Sequence, residues 1–381
     1  MMRTWTAVLG ALLLAPLASA GVLPDDRADV LYHRYDGGGV VIDGPSLLVR
    51  KKFADKVSVA ANYYVDLVSS ASIDVVSTAS PYKEERTQYS VTADYLRGKS
   101  TYSAGYISSS ESDYDAKTWY AGVSQDMFGD LTTISFSFKR GNNDIFRNIG
   151  GGKDPTFQRA SDTRSYAVGI TQVLTCSLIG IAYFEVISDE GYLNSPYRSV
   201  RYFDPSDPKG YTYQGEVYPN TRTSNAASLK LNYFLPWRAS LNGWYRFYTD
   251  SWGVNAHTGE VSYTQPAWDR WTFTGSLRYN KQDAADFYAD LFPRRNYANF
   301  LARDKELSPF TALTFGIGAS YDFRLARLPW VEQAQANLRY NFMTISYDDF
   351  RDVRASVAVP GTEPLYKLDA SIYQVFLSIW F

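Results

Sequence analysis

Apolar and polar residues alternate along most of this chain with a period of two. Val57, Val59, Ala61, Tyr63, Val65 and Leu67 are separated by Ser58, Ala60, Asn62, Tyr64 and Asp66. The same beat returns over residues 89–95, 134–138, 227–233, 271–279, 313–323 and 334–342. A period of two describes a strand whose two faces meet different surroundings. No stretch of helical period is comparably long. The polar positions are filled by Ser, Thr, Asn, Gln, Gly and Tyr with a few charges, whereas the open face of a soluble sandwich is rich in Lys and Glu. An apolar face beside a wet, weakly charged one fits a barrel wall between lipid and an aqueous lumen.

The connections sort into two lengths. Short ones fall near residues 53–56, 97–99, 128–130, 175–177, 235–237, 268–270 and 328–330. Long ones span 70–86, 141–162, 191–221, 283–309 and 351–364. Tight periplasmic turns and long extracellular loops are the habit of outer-membrane barrels. Trp237, Trp268, Trp271 and Trp330 sit at the short turns and predict an aromatic girdle at the inner interface. Seven up–down strand pairs follow from Val57 onward, and Asp29 to Lys52, with Gly37-Gly38-Gly39 inside it, adds one hairpin. The expected fold is all-β: a transmembrane antiparallel up-and-down β-barrel of about sixteen strands, within a range of fourteen to eighteen. That size leaves an aqueous channel.

The ends agree with export. Arg3, the apolar run from Ala7 to Leu17 and the Ala18-Ser19-Ala20 site predict a signal peptide over residues 1–20. Residues 21–381 then form a single barrel domain, located in the outer membrane. Tyr373, Val375, Leu377, Ile379 and Phe381 alternate to an aromatic last residue. This resembles the signal read by the barrel assembly machinery, which is an expected partner together with outer-membrane lipid.

Composition narrows the chemistry. Tyr (31), Phe (21) and Trp (9) raise aromatics to 16%, while the formal charge is only −2, which argues against nucleic acid as a partner. Cys176 is the one cysteine, so no intramolecular disulfide or Cys-rich metal site is available. His33 and His257 are the only imidazoles. No cofactor, no metal and no catalytic residue is expected. There is no G-x-S-x-G elbow. His257, in an expected outer loop over residues 249–260 with Asp250 and Glu260, could join an acid–base pair at the rim, but a solvated loop histidine is the simpler reading. His33, flanked by Tyr32, Arg34 and Tyr35, reads as structural. Asp204-Pro205-Ser206-Asp207-Pro208 offers carboxylates without calcium-loop spacing. Cys176 lies in a tight turn with nothing beside it to activate a thiolate.

The inward charges carry more. Parity turns Lys230, Arg246, Arg278, Arg324 and Arg339 into the lumen. Arg246, Arg278 and Arg339 each lie eight or nine residues from an expected inner turn, so they share a height and predict a basic sector. Asp66 and Asp94 face inward on earlier strands and predict an opposed acidic sector. Opposed sectors would orient and filter polar solutes.

Residues 25–40 (DDRADVLYHRYDGGGV), 43–53 (DGPSLLVRKKF) and 71–86 (ASIDVVSTASPYKEER) resemble the N-terminal pattern of a large family of Gram-negative outer-membrane β-barrel proteins of unknown function. The resemblance extends over essentially the whole mature chain and implies a barrel without implying an activity. Its members' genes lie near those for a small lipoprotein, a thioredoxin-like protein and a flavin transferase. The resemblance thereby implies a periplasmic lipoprotein or thioredoxin-like partner and a place near extracytoplasmic redox or metal chemistry.

The leading expectation is therefore a porin-like channel for small polar or ionic solutes, with the loop from Gly191 to Thr221 as a candidate plug. A non-conducting scaffold in a redox or metal-handling system is the second. A barrel hydrolase is disfavoured by the missing nucleophile–base motif.

Overall fold

Backbone polar groups inside lipid must find partners within the chain, and a sheet achieves this only by closing on itself. The computed structural model, which describes residues 21–69, 83–150, 152–325 and 328–381, closes sixteen antiparallel strands into one barrel. The strands are β1 (Arg27–Gly37), β2 (Val40–Phe53), β3 (Val57–Ser69), β4 (Lys83–Arg97), β5 (Ser100–Ser110), β6 (Tyr114–Met127), β7 (Thr132–Ile149) and β8 (Gly152–Thr175). They continue with β9 (Leu178–Gly191), β12 (Thr221–Phe234), β13 (Ser240–Asp250), β14 (Asn255–Ala267), β15 (Trp271–Gln282), β16 (Phe310–Phe323), β17 (Gln333–Arg351) and β18 (Leu365–Trp380). Two short strands, β10 (Ser199–Phe203) and β11 (Tyr211–Gly215), pair with each other outside the barrel wall. Each barrel strand bonds its sequence neighbours, and β1 closes the ring on β18 with Val30 opposite Leu377 and Tyr32 opposite Val375. The N-terminal hairpin expected over residues 29–52 turns at Gly38-Gly39, both at positive φ, as a two-residue turn between twisted strands requires. The expected signal peptide, residues 1–20, lies outside the described residues.

The alternation becomes two faces. Val91, Phe136, Val168, Leu229, Val261 and Leu338 are exposed on the outside, where a soluble protein would place charge. Such a continuous apolar surface is a lipid belt. The turns near 53–56, 97–99, 128–130, 175–177, 235–237, 268–270 and 328–330 all lie at one end, while the other end carries the long loops together with the tight β1–β2, β5–β6 and β13–β14 turns. At the first end Trp268 is 79% exposed, and Trp237 and Trp330 also stand clear of the wall, forming the expected inner girdle. The chain ends at the same level, where Phe381 packs edge-on against Trp330 at 6.1 Å between ring centroids.

Strand extends into two expected loops, filling most of residues 141–162 and leaving only the turn 251–254 of residues 249–260. Residues 141–162 continue β7 and β8 as an extended hairpin, because the polar residues there bond one another: Arg147 holds Asp154 and Asn142 donates to Asp162. A hairpin above the membrane needs no apolar face, so the alternation fades there while the ladder persists. His257 likewise lies in β14. It faces outward, opposite Phe247 on β13, with Nδ1 2.6 Å from the Tyr245 hydroxyl. It is a histidine of the outer wall, not of a loop.

Candidate functional site

The lumen wall is built by inward residues that bond along the strands. Ser103 donates to Asp94 (2.6 Å), Ser320 to Asn337 (2.6 Å) and Asn242 to Ser262 (3.4 Å). These ladders satisfy much of the polar face, with ionised groups set among them.

The charged positions only partly match the expected pattern. Lys230 and Arg339 are exposed to the lumen, and Arg246 is half-buried over the Tyr248 ring at 5.5 Å. None of the three has an acidic partner among the described residues. Arg246, Arg278 and Arg339 stand six or seven residues after the first residues of β13, β15 and β17, so their common height holds. Arg278 differs from the others because Glu260 on β14 faces it, with a 2.6 Å contact. Arg324 is not on the wall at all. It follows the last residue of β16 and sits exposed at the inner rim, because the strand ends one residue earlier than parity assumed.

The opposed acidic sector does not exist, since each aspartate is neutralised by an arginine. Asp94 contacts Arg50 at 2.9 Å. Asp66 is buried between Arg86 on β4 and His33 on β1, whose Nε2 lies 2.7 Å away. The Tyr64 hydroxyl is 3.1 Å from the same nitrogen, and the two rings stack at 4.9 Å. His33 on β1 reaches Asp66 on β3 across β2 because its register partner there is Gly44. A Cβ at Gly44 would lie 2.0 Å from the Val65 carbonyl oxygen, so no other residue fits this close approach. Arg86 closes the expected 70–86 connection and Arg50 lies in the expected 29–52 hairpin, so the alternation marks neither as a lumen residue and the pairing shows only in the register.

The outer mouth is covered. The loop between β9 and β12 carries the β10–β11 hairpin and meets two other loops, residues 283–309 and 352–364. Backbone bridges join Tyr202 to Phe292 and Val217 to Leu301. Leu193, Tyr218, Trp252 and Leu307 form a buried apolar cluster between the loops. A buried ion network binds them. Arg201, at 0% exposure, donates to Glu363 (2.5 and 3.0 Å) and to Asp290. Arg303 donates to Asp290 at 3.0 Å, and Arg198 pairs with Asp304. Burial alone would raise Glu363, but the Arg201 hydrogen bond and its charge outweigh it and hold the carboxyl below its ordinary range. Burial pushes the Tyr218 phenol well up, and the neighbouring Glu216 carboxylate adds to this.

The cap spans the ring. Tyr197 donates to Asp113 (2.6 Å), between β5 and β6, and accepts from the Asn148 N–H on β7 (2.8 Å). Arg201, four residues later, bonds Glu363 between β17 and β18, on the far side of the strand order. The short helical turn Lys305–Leu307 dips to the inward face, where Gln282 of β15 donates to the Glu306 carbonyl at 2.7 Å. The loop from Gly191 to Thr221, expected as a plug, thus acts with two partners.

The remaining candidates are quiet. Asp204 accepts from the Ser206 N–H (3.0 Å), and Asp207 from that of Lys209 (2.8 Å), so both carboxylates close local turns. Among the described residues no group of three metal-ligating side chains occurs. Cys176 is exposed at the β8–β9 turn.

Sixteen strands closed around a polar lumen, with an apolar belt outside, define a transmembrane β-barrel of the outer-membrane type. The chain belongs to the family described as "Protein of unknown function (DUF3570)", which matches residues 73–346. No curated protein matches the sequence. Among solved structures it is similar to a bacterial polysaccharide outer membrane secretin (8% identity, TM-score 0.49, covering 94% of this chain and 100% of that one). It is also similar to a Pseudomonas aeruginosa FadL homologue (10%, 0.43, 95% and 91%). A third is the outer membrane protein OpdK of the same organism (10%, 0.43, 93% and 99%). At these identities the likeness concerns the barrel alone.

Proposed function

We propose that this protein is an outer-membrane channel for small polar solutes that favours anions and is covered at its outer mouth by the three-loop cap. The observation that carries the reading is the set of lumen cations, Lys230, Arg246 and Arg339, which have no carboxylate partner among the described residues, whereas Arg50, Arg86 and Arg278 are matched by Asp94, Asp66 and Glu260. Each unpaired charge in a narrow aqueous lumen attracts anions and repels cations, by about 1 kcal/mol per close contact in water and more where low-dielectric walls focus the field. Export through a cleaved leader and assembly by the machinery that reads the terminal aromatic strand, Tyr373 to Phe381, belong to this reading.

Liposome swelling tests it. Vesicles carrying the folded barrel should swell faster with small organic anions than with neutral sugars of equal size. The variant Lys230→Gln/Arg246→Gln/Arg339→Gln should lose that preference. Equal swelling in both solutes by the unmodified protein would refute it.

The interlocked cap favours a second reading, a non-conducting scaffold for a periplasmic lipoprotein or thioredoxin-like partner. A folded barrel that never swells vesicles, yet retains one such partner in stoichiometric amount, would support it.

A further inference from the structure

We propose that the outer wall at β6–β8 carries a binding site for the phosphate headgroup of an outer-leaflet lipid. Arg140 on β7 and Arg164 on β8 stand directly opposite each other across the ladder, and both face outward. Like charges in that relation repel and destabilise a sheet. Neither forms an ion pair among the described residues. Trp119 on β6 lies opposite Arg140 in the same row and is 61% exposed. The row one step outward carries Lys117, Asn142 and Asp162, where Asn142 donates to Asp162, so that carboxylate is already engaged by a neutral amide.

The height of the row identifies the occupant. A tilted strand climbs roughly 2.6 Å along the membrane normal per residue, so Arg140 and Arg164 stand about 21 and 29 Å from the inner turns at Thr132 and Thr175. The apolar belt of such barrels is about 25 Å tall. The two guanidiniums therefore emerge where hydrocarbon gives way to headgroups. Immediately below them, Phe138 and Tyr166 pack ring to ring at 5.0 Å as an apolar seat for acyl chains. Two arginine forks over an aromatic seat match a lipid phosphate: the forks take its oxygens in charge-assisted bonds, and the phosphate removes their mutual repulsion. A phosphorylated, multiply acylated glycolipid supplies both parts. The site is independent of conduction.

The test uses the whole barrel in detergent, with native mass spectrometry reading retention of bis-phosphorylated lipid A against its dephosphorylated form. The phosphorylated lipid should bind about tenfold or more tightly, and Arg140→Gln/Arg164→Gln should lose that margin. Lys281→Gln/Lys367→Gln removes the same charge from outward positions elsewhere and should keep it. Heat-modifiable migration on gels reports that each variant is folded. Equal retention of the two lipids by the unmodified protein overturns the proposal without recourse to variants. Equal losses in both double variants overturn it in favour of general attraction. Displacement of the lipid by millimolar inorganic phosphate overturns it in favour of a free-anion site.

Discussion

Arg201 is the side chain on which the cap depends. Its guanidinium is fully buried and contacts Glu363 and Asp290, both almost as buried. Arg201→Met keeps the volume and removes the charge. Asp290 retains Arg303 at 2.9 Å, but Glu363 is left with no side-chain cation, only the Gly361 N–H at 2.9 Å. Removing one partner of a buried pair costs about 3–5 kcal/mol, because the other charge stays buried and uncompensated. The barrel strands do not rely on this contact, so the cost falls on cap closure. At about 1.4 kcal/mol per decade, the open population rises a hundredfold or more. Trypsin reads it, since Arg198, Lys209 and Arg294 lie within the cap segments and cleavage tracks the open population when reclosing is fast. The variant should be cut far faster in the outer loops, show more frequent channel openings, and keep the barrel's heat-modifiable migration. Unchanged cleavage and unchanged openings would refute the view that this network holds the mouth shut.

Further outcomes follow from the same contacts. Cap protection in hydrogen exchange should depend on pH through Glu363. Its folded pKa lies below the ordinary 4.5, so its stabilisation is full above that value and lost as pH falls through the depressed one. Glu363→Gln should flatten this dependence, and protection that instead falls as pH rises toward 7 contradicts it. Gly44→Ala places a methyl on the Val65 carbonyl and should lower barrel stability by about 1–3 kcal/mol in urea unfolding; an unchanged midpoint would show that the strands part freely there. His33→Leu removes the buried 2.7 Å bond to Asp66 and should cost about 1–3 kcal/mol in the same measurement. Lys230→Gln/Arg246→Gln/Arg339→Gln should shift ion preference toward cations with no loss of folding, and an unmoved preference would place selectivity elsewhere.

The barrel was legible because lipid imposes one rule on every strand: an apolar residue at each outward position. That rule recovered the sixteen strands and the exposed tryptophans at one end, but not that the opposite end also carries tight turns, at Gly38-Gly39 and at residues 111–113 and 251–254. It failed where the rule lapses. Above the membrane β7 and β8 continue as polar strands, and residues 141–162 therefore looked like a loop. Parity told correctly that Asp66 and Asp94 face inward but not what stands opposite, since pairing depends on register. Arg50 meets Asp94 across β3, and His33 crosses β2 only because Gly44 is bare. The cap was the least legible part. Arg201, Asp290 and Glu363 come from three loops separated by long stretches of sequence, and no local period marks residues that meet only when the ring has closed.

The reversal potential of single-channel currents under a tenfold KCl gradient addresses the central claim most directly, recorded for the unmodified barrel and for Arg201→Met. Discrete openings with a reversal potential displaced toward the chloride equilibrium value, more frequent in the variant, are the predicted result. A folded barrel that stays silent in both forms, or one whose currents reverse toward the potassium value, would contradict an anion-favouring lumen beneath a closable cap.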